Sequence, residues 1–147
     1  MKITYQDLQR VIDLHQKFLS GEKDGERANL KCADLYGINL AGTNLKGAIL
    51  EGASLRRAVL WGANLAEAVL EGANLKHAIL EDANLNGACL KDACLKGVNL
   101  EHTDLRGANL MNADLENADL VGATCNKKTV WPDDFDPIAA GTTFLND

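Results

Sequence analysis

A leucine occupies every fifth position from Leu30 to Leu120, nineteen in one uninterrupted register. An alanine stands two residues before most of them (Ala28, Ala33, Ala48, Ala53, Ala58 and onward to Ala118), and Asn or Asp often fills the place between, as in ANLKC, ADLYG and ANLAE. This spacing rules out both regular elements. A helix advances about 100° per residue, so five residues turn it about 140° net, and the leucines would wind around every side without sharing a core. A straight strand alternates faces with period two, so an odd spacing sends successive leucines to opposite faces. A chain that turns after every five residues satisfies the pattern. Ala and Leu then have the same parity and point inward along one short side, while the residue between them and the two that follow point outward or form a corner. Self-similarity at a fixed period marks a solenoid, in which each coil buries what its neighbour cannot bury alone.

The motif A-(N/D)-L-x-x over residues 28–125 resembles the pentapeptide-repeat family. The resemblance implies an all-β solenoid, a right-handed quadrilateral β-helix with four pentapeptides and twenty residues to a coil. Cys125 falls where a twentieth leucine would stand and is expected to point inward near Leu105. Twenty centres make about five coils, a column about 24 Å long at roughly 4.8 Å between paired strands. Ile38, Thr43, Val98 and Thr103 replace the inward alanine and predict a slightly wider bore there, or a compensating shift of the backbone. Folding the sequence at twenty residues stacks Asn44, Asn64, Asn84 and Asp104, where the Asn amides can bond one another along a ladder.

Three segments follow from the period. Residues 1–27 hold a predicted helix over 4–20, with Leu8, Val11, Ile12, His15, Phe18 and Leu19 on one stripe, Thr4 with Asp7 as an N-cap pair and Gly21 as a stop. Its expected place is over the open end of the first coil, where bare leucines and strand edges invite aggregation. Residues 28–125 form the column. Residues 126–147 lose the period; Pro132 and Pro137 are expected to end regular pairing. Trp131, Phe135, Ile138, Phe144 and Leu145 supply apolar surface for a cap of the far end, or alternatively for a dimer contact, so a monomer or weak homodimer is expected.

The chain of 147 residues carries 15 Lys and Arg against 21 Asp and Glu, a net charge of −6. That mild acidity argues against direct nucleic-acid binding. The start lacks a signal-like apolar run and no stretch suits a membrane span, so cytoplasmic residence is the expectation; a bacterial setting is what the family resemblance implies. Cys32, Cys89, Cys94 and Cys125 lack metal-site spacing and are expected as reduced thiols, with no metal or cofactor. No Ser or Cys has an adjacent base and orienting group, and Glu81 over Glu101 lies on a convex face without a cleft, so an enzyme is not expected. His15 is read as a packed helix residue, and His102 as stacked over Asp82 in a surface pair.

Two outward features are candidate sites. Val59, Trp61 and Ile79 would form an exposed apolar patch rimmed by Glu81 and Glu101, of the kind that marks a protein interface; alternatively the β-branched pair merely favours extended backbone. Arg56, Lys76 and Lys96, with Arg57 and His77 beside them, would form a basic stripe for an anionic partner, or a solvated face of mixed charge. The expected function is a non-enzymatic protein-interaction scaffold with an unknown protein partner. The alternative the resemblance implies is a DNA-mimicking modulator of a type II topoisomerase, a role suited to a longer and more acidic rod.

Overall fold

The computed structural model describes residues 2–147. Residues twenty apart pair in parallel throughout the repeat region, in four ladders that define four sides. One runs through Asp34, Ser54, Asn74, Cys94 and Asp114, and the next through Asn39, Val59, Ile79, Asn99 and Asp119. A third follows Asn44, Asn64, Asn84, Asp104 and Thr124, and the fourth Asn29, Ile49, Val69, Cys89 and Asn109. Each rung is a pair of short bonds. Leu50 N–H donates to the Val69 carbonyl at 2.7 Å, and Val69 N–H donates back to the Ala48 carbonyl at 2.9 Å. The strands are single residues because the chain turns at once on either side.

The corner explains why five residues suffice. The N–H three residues after each leucine reaches back to the leucine carbonyl, as in Ala53 to Leu50 at 3.0 Å. The residue two after each leucine has φ between 56° and 71°, all the way from Cys32 to Gly122. A turn with positive φ at its second central residue favours glycine, yet Arg57, Glu67, His77, Asp82, Asp92, His102, Asn112 and Asn117 adopt it too. None is β-branched, the class for which this conformation is most strained. Glycine has a second use at Gly97 and Gly122. The rings of His77 and His102 lie over them, and a Cβ there would push these exposed imidazoles off their seats.

Inside, the alanines and leucines form one continuous cluster, and the leucines from Leu45 to Leu110 are fully enclosed. Thr103 fits because its hydroxyl donates to the Leu80 carbonyl at 2.8 Å, which satisfies a buried donor. The outward Asn residues depart from the expected amide ladder. Each turns its Oδ1 to the backbone N–H two residues on, as Asn64 does to Ala66 at 3.1 Å and Asn84 to Asn86 at 2.9 Å. This local bond is available at every corner and outcompetes a side-chain partner one coil away.

The first helix, α1 (Tyr5–Leu19), starts at Thr4, whose hydroxyl accepts from Asp7 N–H at 3.1 Å. It ends at Ser20 and Gly21, the latter at φ 74°. Leu8 joins the core cluster, with Val11 and Ile12 packed against it. Gln16 Nε2 donates to the Asn44 carbonyl at 2.8 Å, so the helix meets the first coil through backbone as well as apolar surface.

At the other end, pairing does not stop at the prolines. Val130 takes the next rung after Asn109, one residue later than the period. Beyond Pro137, β2 (Thr143–Phe144) pairs in parallel with β1 (Thr124–Cys125). The prolines sit in the excursion between rungs, where no ladder N–H is needed. Trp131 and Phe135 stack at 5.1 Å between centroids and pack against the core, whereas Ile138 and Phe144 are exposed. Arg106 holds the last residue. Its guanidinium forks onto Asp104 at 2.8 and 2.9 Å and reaches Asp147 at 2.9 Å.

Cys125 is buried as a leucine substitute, its Sγ 3.6 Å from Thr142 Oγ1. Cys89 and Cys94 are half-buried on neighbouring ladders, and the structure contains no disulfide among the described residues. Thiol titration without reductant is expected to return four groups after denaturation, with Cys125 the slowest before it. A Cys89–Cys94 disulfide detected by mass spectrometry would contradict the separate faces assigned to these residues.

Candidate interaction surface

Val59 and Ile79 are consecutive rungs of one ladder and so lie side by side on one face. Their side chains point outward because they follow an inward alanine and precede an inward leucine. Val59 is half-buried and Ile79 is 39% exposed. Trp61 is the first corner residue after Leu60 and is 52% exposed, a large aromatic surface with no ring partner among the described residues. The three positions named from the sequence therefore share one exposed face. Glu81 and Glu101 follow Trp61 along the corner column, are half-buried, and form no ion pair among the described residues. Val121, 55% exposed, ends that column as a second apolar residue.

The basic stripe is less basic than its composition. Lys96 is held by Glu116 at 3.0 Å and Asp114 at 3.4 Å, and hydrogen bonding to Glu116 first, then Asp114, raises its ammonium above the ordinary lysine range. Arg56 lies over the Tyr36 ring, 5.8 Å from its centroid. Arg57 and Lys76 have no ion-pair partner among the described residues, and His77 covers Gly97. The structure thus brings Arg56, Arg57, Lys76 and His77 to one side but neutralises its lower end. His102 also departs from expectation. Its ring is turned onto Gly122 rather than toward Asp82, because the corner that follows carries no side chain and leaves a seat for it.

Other exposed apolar residues lie where periodic reasoning gave no site. Met111 and Val130 are 43% and 40% exposed near the end of the fourth ladder, and Tyr5 is 73% exposed on α1. Val130 entered that ladder through the one-residue insertion, which no repeat predicts. No group of His, Cys, Asp and Glu among the described residues is arranged to hold a metal ion. No helix among the described residues is long and apolar enough to cross a membrane.

The sequence profile described as Pentapeptide repeats matches in eight copies, over residues 26–62, 53–92, 63–101 and 93–124. A pentapeptide repeat protein from the thylakoid lumen of Arabidopsis thaliana is similar in structure, with a TM-score of 0.63 at 33% identity. The alignment covers 64% of this chain and 66% of that one, so the chain spans just under two thirds of that relative. A pentapeptide repeat protein from Nostoc is 29% identical over 90% of this chain and 93% of that one, with a TM-score of 0.43. HetL, a Nostoc pentapeptide repeat protein involved in heterocyst differentiation regulation, is 34% identical over 67% and 55% of the two chains, with a TM-score of 0.26. No match was found among curated proteins. The likeness to pentapeptide repeat proteins implies that the column is a right-handed β-helix.

Proposed function

Since the chain belongs to the pentapeptide-repeat family, we propose that it is a non-enzymatic scaffold that binds a protein partner through the face carrying Val59, Trp61 and Ile79. The observation that carries this reading is the 52% exposure of Trp61 beside two aliphatic rungs. A tryptophan left in water on a rigid face gains most when a partner covers it, and such residues dominate interface energetics. The unpaired carboxylates of Glu81 and Glu101 suit a partner with an apolar anchor flanked by Lys or Arg. The depression on the side of the column lined by Lys76, His77, Lys96 and Glu116 is open to solvent, unlike the enclosed sites catalysis uses. A DNA-mimicking role fits less well, because Arg56, Arg57, Lys76 and His77 place positive charge on one side.

Trp61→Ala is expected to weaken binding of a partner captured by the wild-type protein by about 2 kcal/mol, or roughly thirtyfold, while leaving the melting temperature almost unchanged. Titration calorimetry of both proteins against that partner provides the measurement. Arg56→Glu with Lys76→Glu is expected to leave binding intact. If that pair abolishes binding and Trp61→Ala does not, the basic side is the contact. If Trp61→Ala lowers the melting temperature sharply with binding preserved, the tryptophan is structural.

A further inference from the structure

His15 is the one histidine buried completely, and it sits where α1 meets the first coil. Its Nδ1 accepts a hydrogen bond from Ala28 N–H at 3.0 Å. Ala28 opens the repeat, so this bond ties the helix to the first inward residue of the column. An accepting Nδ1 carries no proton, which places the proton of the neutral ring on Nε2. That Nε2 is buried and turned toward the Lys46 carbonyl without closing a well-formed hydrogen bond. Phe18 covers the ring at 5.9 Å between centroids.

We propose that His15 is a proton-operated latch: protonation of Nδ1 breaks the tie to Ala28, loosens α1 and opens the end of the first coil. A second proton on the ring would face Ala28 N–H donor against donor, and no acceptor replaces the lost bond. Charged neighbours reinforce the effect. From the linker, Arg27 adds a like charge while its Nε is fastened to the Gly47 carbonyl. From the column, Lys46 presents its carbonyl, its ammonium being occupied by Glu67 at 3.6 Å. No carboxylate of the described residues helps to hold a charged ring. Burial is the largest influence and lowers the pKa of His15 below the ordinary 6.5; the Lys46 carbonyl comes next and opposes it, and Arg27 adds a smaller lowering.

The sign follows from proton counting. With α1 released, His15 is solvated and titrates near 6.5; in place, it titrates lower. Between these values the released state binds more protons, so docking is complete above pH 6.5 and weakens as pH falls below it. Opening would bare Leu30, Leu35 and Leu40, which are buried with α1 in place.

Hydrogen exchange on the full chain tests the latch, read at pH 7.5 and 5.5 and corrected for intrinsic exchange. Amides of residues 9–19 are expected to lose protection severalfold at the lower pH, up to the roughly tenfold ceiling that one histidine titrating near 6.5 can supply, while the middle coils keep theirs. His15→Gln, whose amide oxygen can accept from Ala28 N–H but does not titrate, is expected to remove most of that change. A His77→Gln, His102→Gln double variant is expected to retain it, which assigns the response to His15, and His15→Gln is expected to protect residues 9–19 at pH 7.5 as the wild type does, which shows its helix docked. Equal protection of α1 at both pH values in the wild type would overturn the latch. So would loss of the pH response in the double variant, or an unchanged response in His15→Gln.

Discussion

Leu80→Asp is expected to unfold the middle of the column. Leu80 has no exposed surface, and Leu60 and Leu100, one coil away on either side, are equally enclosed. An unpaired carboxylate there loses its hydration without gaining a partner, a cost of about 3–5 kcal/mol for a buried charge left alone. The lost packing of a core leucine adds about 2–5 kcal/mol. Together these are comparable to the whole stability of an ordinary domain, about 5–15 kcal/mol. Because each coil contacts only its neighbours, the loss is felt first by the coils centred on Leu60, Leu80 and Leu100. Leu80→Met, which nearly preserves volume, is expected to cost less than about 1.5 kcal/mol. Circular dichroism melts of both variants provide the check. A wild-type melt for Leu80→Asp would show that the register does not define the interior.

Removing residues 1–20 is expected to convert a dispersed protein into soluble aggregates. The deletion takes away Leu8 from the core cluster, the His15 bond to Ala28 and the Gln16 bond to Asn44 at once. What remains is a coil end with leucines and strand edges open to a second copy. Light scattering after size exclusion measures this directly. A truncated chain that stays monomeric and melts as before would show that α1 does not serve as a cap.

The inward and outward parity of each pentapeptide is legible in the sequence, because an odd period with Ala and Leu two apart has one physical solution. Pairing at twenty residues was not derivable from that arithmetic, which accommodates any number of sides; it came with the family resemblance. The helix was legible down to its Thr4 cap, since capping chemistry is local. The C-terminal segment was less so. Val130 joins its ladder after an extra residue, and Thr143–Phe144 is a two-residue strand beyond two prolines. Neither leaves a periodic trace. Side-chain choices were the weakest part. The stacked Asn residues had two hydrogen-bonding options, and the nearer backbone donor won. His102 had two neighbours, and it took the glycine. At the candidate surface, Trp61 and Ile79 were legible as exposed because parity fixes them outward. The neutralisation of Lys96 was less visible, because Asp114 and Glu116 reach it from the following coil.

The constant pairing distance has a consequence for how fast such a chain folds. Nearly every rung joins residues twenty apart, so the loop closed in forming a new coil is the same size at the start of the column as at its end. In most β proteins, distant strands must meet, and loop closure slows the search. Here the sequence separation of contacts does not grow with length, and adding a coil adds one more step of the same kind. Once a first pair of coils has formed, the rest can be laid down in order, each on a finished template. Folding time should then rise with the number of steps, not with the entropy of ever longer loops.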